Sequence, residues 1–428
     1  MTNAVRKEIM PGVFLTSFRT KKFKTGLLSM NLLTPLKAAS ASKNAMLPSV
    51  LRRGTARYPD MEQLSAALDS LYGAQIESVV RKKGEVQCVG FVSSFIDEAL
   101  TPGQEKLLEP VADLLGELLL SPATRNGRFY TEYVEGEKNN LKDRIRAIVN
   151  DKRQYADKRL VELMCREEDY SVDKLGSEEA ASAVSGQKLF EQYNRLLASS
   201  RLELFYSGSA SPERVEGAML YALESLPRPG ATEPVDTAVK KAAPEEPQVV
   251  TESMDVTQGK LAIGFRLGGR GAPDYPAQTL FHTAYGGTST SKLFLNVREK
   301  LSLCYFASSA LHRSKGILTV SSGIEFKNYE KARDEILAQL KAIQEGKLED
   351  WELEAAKRSV VNAMRSTLDS QTRMEDFYLG QALEELPYGP MEFAAQIEKV
   401  TAEEIRRAAE AARLDTIYFL RGPDKGGE

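Results

Sequence analysis

Two kinds of hydrophobic pattern alternate along the chain. Some stretches are apolar throughout or at every second position; others are apolar at every third and fourth. The same succession occurs twice. Each pass opens on an apolar strand, "LLSMNLL" from Leu27 and "LAIGFRL" from Leu261. A helical pattern follows and ends near a Gly-Thr pair, Gly54-Thr55 and then Gly287-Thr288. A second helical stretch closes on leucine and an aromatic, "LDSLYGA" and "EKLSLCYF". A hairpin then turns on Lys-Gly, "RKKGEVQCVGF" and "RSKGILTVSSG", with Gly84 and Gly316 in matching places. Amphipathic helices, "EPVADLLGELLL" and "YEKARDEILAQLKAI", lead on to a last strand running into glycine, "LELFYSG" and "TIYFLRG".

Local chemistry supports these elements. Asp60 is placed to cap a helix from Met61, with Gln63 reaching back, and Thr401 with Glu404 makes a second capping box. Met61, Leu64, Leu68 and Leu71 share one helical face. Gly73 stands where a left-handed helix end belongs. Between the passes, "LPRPGATEPVDTAVKKAAPEEPQ" is rich in proline, alanine and charge and has no apolar period, so it reads as a linker. The expected organisation is a domain over 1–225, a linker over 226–248 and a domain over 249–428. The expected fold class is α+β: two similar, duplicated α/β sandwich domains, each a mostly antiparallel sheet with helices packed on one face.

The chain has 428 residues, more than one ordinary core holds. Its composition, 42% hydrophobic and 27% charged, is that of a soluble globular protein. A net charge of −3 leaves no basic footprint for nucleic acid, and the small cluster "RTKKFK" reads as a solvated turn. No run approaches a membrane span, and "MTNAVRKEIMPGVF" lacks the apolar centre of a secretion signal. Three scattered cysteines, Cys88, Cys165 and Cys304, suit a reducing compartment. A cytoplasmic protein is expected. Only two histidines occur, His282 and His312, thirty positions apart. A His-x-x-x-His helical zinc pair is therefore impossible, and so is any three-histidine site.

The stretch "YGGTSTSKLFLNVREKLSLCYFASS", Tyr285 to Ser309, concentrates the remaining chemistry. A phosphate-cradling loop requires four residues between its first glycine and a Gly-Lys-Ser/Thr, and Lys292 instead lies between Ser291 and Leu293. A nucleophilic serine or threonine would need His282 as base, and that histidine stands inside an apolar helical pattern. Cys304 beside Tyr305 reads as a packing residue rather than a reactive thiol. Arg298, with its fork of five donors, and Tyr305, seven residues on, could form a polar grip. Residue types alone do not separate that grip from an ordinary ion pair.

"GGTSTSKLFLNVREKLSLCY" resembles the C-terminal-domain signature of the M16 (pitrilysin, insulinase, mitochondrial processing peptidase) family. The resemblance runs over nearly the whole chain, including the duplicated halves and the linker. It implies the metallohydrolase fold of that family and its M16B subgroup. It also implies that Arg298 and Tyr305 match the Arg and Tyr which hold substrate near the scissile bond. The family's zinc motif, His-x-x-Glu-His ahead of a Gly-Thr, falls on "AMLPSVLRRGT". Its first histidine falls on Ala45, its glutamate on Pro48 and its second histidine on Ser49. The third ligand, a late glutamate, aligns with Arg144 in "EKNNLKDRI", where Glu137 matches the start of the helix. Alanine has no ligand atom, proline is no base, and a cation repels zinc.

The resemblance therefore implies a zinc-less subunit of the kind found in Gram-positive bacteria, with no cofactor of its own. Its expected partner is a zinc-bearing M16 sibling in a dimer. Its expected substrate is a peptide or unfolded polypeptide, with neither nucleic acid nor membrane involved. The alternative is a non-enzymatic peptide-binding or scaffold protein, a homodimer without any peptidase partner.

Overall fold

In the computed structural model, the described residues are 4–228, 232–236, 241–268, 272 and 274–423. They form two compact units. One holds residues 1–146, 172–236 and 370–385; the other holds 147–171, 237–369 and 386–428.

The first unit is built on a six-stranded sheet. Its spatial order is Val5–Met10, Val13–Arg19, Arg201–Gly208, Thr25–Pro35, Val86–Ile96 and Gln75–Lys83. The second has five strands in the order Gln248–Ser253, Arg413–Arg421, Gly259–Arg266, Ile317–Ile324 and Cys304–His312. Apart from the extra first strand, the two orders are the same. Each sheet holds one parallel pair, Val13–Arg19 beside Arg201–Gly208 and Gln248–Ser253 beside Arg413–Arg421. All other pairings are antiparallel. The repeat seen in the sequence is thus a repeat of topology. Its two Lys-Gly hairpins turn through left-handed glycines, Gly84 at φ +58° and Gly316 at φ +63°. At Gly316 a Cβ would also lie 2.6 Å from the carbonyl oxygens of Leu267 and Gly268, so the tight turn requires glycine.

One face of the first sheet carries the main core. Leu28, Met30, Val89 and Phe91 meet Leu47, Leu51, Leu115, Leu118 and Leu196 from the helices Ala38–Leu51, Leu108–Leu120 and Gly186–Ser199. Full burial of each such side chain contributes about 1.5–3 kcal/mol. Helix starts follow the local chemistry: Asp60 accepts from Gln63 N at 2.9 Å. Thr401 accepts from Glu404 N at 3.3 Å, while Glu404 accepts from Thr401 N at 2.7 Å.

The opposite face of each sheet carries a further helix, which adds a layer to the one-sided packing the sequence suggests. In the first unit it is Gln371–Leu383, whose Leu379 and Leu383 pack on Leu33, Val86 and Cys88. Its buried Glu375 accepts from Ser29 Oγ and Asn31 Nδ2, both at 3.0 Å, and pairs with Arg81. This is why the core strand "LLSMNLL" tolerates serine and asparagine. In the second unit it is Lys152–Met164, whose Leu160 and Met164 pack on Ala262, Tyr418 and Leu420. Gly264 leaves the space that Met164 Sδ fills.

The compact units therefore differ from the contiguous stretches 1–225 and 249–428. Residues 147–171 belong with the second sheet and 370–385 with the first. An amphipathic pattern fixes which side of a helix is buried but not which sheet buries it. Of the linker expected over 226–248, residues 229–231 and 237–240 lie outside the described residues. The described remainder is neither helix nor strand until Gln248 opens its strand. No helix among the described residues is long and apolar enough to cross a membrane.

Candidate functional site

The second unit places Arg298 and Tyr305 on one cavity. The helix Tyr275–His282 runs directly into a π-helical turn, Thr283–Gly287. Tyr285 anchors this turn. Its side chain is fully buried, its ring stacks on Phe281, and its hydroxyl donates to Ile336 O at 2.9 Å. Gly286 packs against the outer strand of the sheet. A Cβ there would lie 2.8 Å from Ser309 N and from Leu293 Cδ1. The first of the paired glycines thus serves close packing rather than phosphate contact. His282 Nδ1 sits 2.9 Å from Ser309 Oγ and ties turn to strand. Burial lowers the His282 pKa to about 4, helped by Arg313 and His312 nearby, so the imidazole is neutral near pH 7.

Lys292 is buried. Its ammonium lies 3.0 Å and 2.9 Å from the two carboxylate oxygens of Glu352. That carboxylate also accepts from Glu349 N at 2.9 Å in the capping box of the helix Asp350–Thr367. A lysine held this way offers nothing to a phosphate.

A second π-helix follows, Leu293–Lys300. Leu293 and Val297 face the core with no exposed surface. Leu301 N donates to Asn296 O at 3.1 Å, the five-residue reach that widens the coil. Arg298 projects outward with its side chain 40% exposed, its guanidinium 4.6 Å from the Phe294 ring centroid. Among the described residues its ion contact is Glu299, at 3.4 Å.

The chain then turns through Ser302, a non-glycine residue at φ +50°, and enters the strand Cys304–His312. Cys304 pairs with Ile324, but Phe306 pairs with Gly323, so Tyr305 is the extra residue of a β-bulge. Bulges of this kind re-aim a side chain. Tyr305 is 66% exposed, and its hydroxyl makes no hydrogen bond among the described residues.

Arg298, Glu299, Cys304 and Tyr305 border an open cavity of about 440 Å³. Glu325 and Asn328, just beyond the end of the neighbouring strand Ile317–Ile324, border it as well. Burial holds the Cys304 thiol above its ordinary pKa despite the opposing pull of Ser322 and Arg298, so it remains a protonated thiol. The arrangement offers donors, an aromatic face and two carboxylates, beside a thiol that stays protonated. It suits binding rather than bond breaking. Sequence reasoning missed Glu325 and Asn328, which lie twenty residues beyond the signature. Counting back from the Gly316 hairpin pairs Phe306 with Gly323 and so brings the residues just past Ile324 beside Tyr305; that register was the available signal.

The positions that align with a zinc motif lie in the first unit. Ala45, Pro48 and Ser49 are on the helix Ala38–Leu51, with Ala45 and Pro48 buried in its packing. Arg144 lies exposed on the helix Thr131–Ala147. Glu137, on that same helix, is bound by Arg53. A methyl group, a pyrrolidine ring, a hydroxyl and a guanidinium do not make a zinc donor set. Among the described residues, no three His, Cys, Asp or Glu side chains are grouped to hold a metal.

Residues 183–360 match the family model described as the peptidase M16 inactive domain. The chain is 36% identical over 407 residues to the probable inactive metalloprotease YmfF of Bacillus subtilis (strain 168), with 95% of each covered. A conserved protein from Enterococcus faecalis V583 superposes with a TM-score of 0.90 at 28% identity, covering 99% of this chain and 100% of that one. The crystal structure of a peptidase M16 inactive domain from Pseudomonas fluorescens superposes with a TM-score of 0.80, covering 100% of both chains. At 15% identity it speaks for the fold alone.

Proposed function

Because the chain belongs to the M16 peptidase family, as an inactive homologue of its metallopeptidases, we propose that it is the non-catalytic, substrate-binding subunit of a two-subunit peptidase. Its partner is a zinc-bearing sibling. The observation that carries this reading is the contrast between the two sites. Where the family's metal set aligns, Ala45, Pro48, Ser49 and Arg144 supply no donor set. Where the substrate grip aligns, Arg298 and Tyr305 stand exposed on one cavity, with the tyrosine hydroxyl uncommitted.

In this reading the zinc held by the partner would supply the activated water. This chain contributes orientation and charge stabilisation. Tyr305 donates its hydroxyl proton to a substrate carbonyl oxygen, a bond that strengthens as negative charge develops there. Arg298 directs its fork at a neighbouring main-chain carbonyl, with its guanidinium steadied by Phe294. Contacts to the main chain give affinity with little demand on sequence. Among the described residues Cys88, Cys165 and Cys304 form no disulfide, which suits a reducing, cytoplasmic setting.

The test is reconstitution. The tagged chain is recovered at native expression level and its co-purifying partner identified by mass. The two purified proteins are then assayed on an unstructured peptide, separately and mixed. The mixture is expected to cleave where neither protein alone does. Full activity of the sibling alone, unchanged in rate and composition when this chain is added, would overturn the proposal. So would recovery of a homodimer free of any peptidase, the outcome expected of a scaffold.

A further inference from the structure

We propose that the cavity selects peptides which place a lysine or arginine side chain beside Glu299 and Glu325. This deepens the reading of the cavity as a substrate wall and rests on it. Two carboxylates and one guanidinium border the cavity, and the guanidinium has its own place over the Phe294 ring. The Glu299 side chain is 54% exposed and, among the described residues, pairs with Arg298 alone, at 3.4 Å. The Glu325 side chain is 50% exposed. Its partner Lys327, at 2.8 Å, is 79% exposed and lies outside the cavity lining. Exposed pairs of this kind are held weakly and exchange readily for a competing cation.

Tyr305 adds an independent reason. Its ring is presented to solvent on the same cavity, where a cationic head can lie against the aromatic face. The methylene stem of the same side chain can run along Leu303 and Cys304, the partly covered apolar part of the lining. An aspartate or glutamate at that position would meet two like charges. The Tyr305 hydroxyl and the Arg298 fork remain available to the main chain, so the side-chain preference and the backbone grip are separate properties of one wall.

The experiment measures binding by fluorescence anisotropy. The protein is used as purified from its host, alone and with whatever partner accompanies it. The probes are labelled, unstructured peptides that are identical except for a central Lys, Arg, Gln or Glu. Lysine and arginine peptides are expected to bind about ten-fold tighter than the glutamine peptide, the size that two exposed charge contacts supply, and the glutamate peptide weakest of all. The preference should shrink as salt rises. The double variant Glu299→Gln/Glu325→Gln should reduce the spread to about two-fold, leaving the glutamine peptide's affinity and the melting temperature unchanged. Equal binding of all four peptides overturns the proposal, as does preference for glutamate. If that equal binding is lost in Arg298→Ala or Tyr305→Ala, the substrate wall stands and only its selectivity is wrong. If no peptide binds in either preparation, both readings fail.

Discussion

Replacing Lys292 with methionine tests how the site is held. The substitution keeps the stem of the side chain and removes a buried ammonium that lies 2.9 Å and 3.0 Å from the Glu352 carboxylate. Removing one partner of a buried pair costs about 3–5 kcal/mol, because the other charge is left stranded. Glu352 keeps one donor, Glu349 N at 2.9 Å, which places the expected loss near the lower end, about 3 kcal/mol. For a unit of this size that corresponds to a fall in Tm of roughly 6–12 °C. Adding Glu352→Gln removes the stranded charge and still accepts from Glu349 N. The double variant should therefore return to within about 1 kcal/mol of the parent, a recovery of about 2 kcal/mol over the single variant. Trp351, the single tryptophan, is adjacent to Glu352 and 51% exposed, so its fluorescence in a urea titration reports the right region. A loss below about 1 kcal/mol in Lys292→Met, or a double variant no better than the single, would show that the pair does not hold this segment.

Tyr305→Phe should melt as the parent does, since the ring is retained and its hydroxyl has no partner among the described residues. In the reconstituted pair it should lower kcat by roughly 10²-fold. Arg298→Lys, which keeps charge but loses the fork, should raise KM; near-normal kcat/KM in both variants would remove these residues from the mechanism. His282 is expected to make the protein acid-sensitive. Its folded pKa, about 4, lies below the ordinary 6.5, so the native state binds fewer protons than the unfolded one. Stability present above pH 6.5 is therefore lost as pH falls toward 4, by about 2 kcal/mol at pH 5. Urea midpoints at pH 7 and 5 should diverge less in His282→Gln, and an unchanged acid loss would refute the assignment. The purified chain should carry no stoichiometric zinc after dialysis, and a chelator should leave its Tm unchanged; one tightly held zinc per chain would contradict the donor argument made for Ala45, Pro48, Ser49 and Arg144.

What could be read in the sequence was whatever is decided within a few residues. Asp60 and Thr401 cap because a side chain three positions from an amide can reach it, and the Lys-Gly hairpins turn because glycine alone is at ease there. The repeated order of strands followed from these local signals met twice. Exchange of the helices Lys152–Met164 and Gln371–Leu383 between units did not follow, because their partners are distant in sequence. The π-helix was hidden for another reason. Leu293 and Val297 are four apart, a spacing that suits an α-helix equally well, and only the long reach from Leu301 to Asn296 reveals the wider coil. Tyr305 was named as a residue, but its place in a bulge depends on the register of the partner strand.

These hidden features bear on what the two regions do. The helix Ala38–Leu51, where metal ligands would align, is packed into the core: Ala45 is buried among apolar neighbours, and Pro48 stands inside the helix, where it lacks an amide donor. The segment with Arg298 and Tyr305 is different. It contains two π-helical stretches, Ser302 in a left-handed conformation, a bulge and an uncommitted hydroxyl, all between Thr283 and Phe306. The π-helical stretches, the left-handed Ser302 and the bulge each depart from regular local backbone, and such departures persist where surrounding structure enforces them. The enforcement is visible in the buried Lys292–Glu352 pair, the Tyr285 anchor and the fit of Gly286 against Ser309. A chain that had become a passive scaffold would have no need to hold Arg298 and Tyr305 in this costly arrangement. That these departures gather around Arg298 and Tyr305 is the physical argument for the proposal that this wall meets substrate.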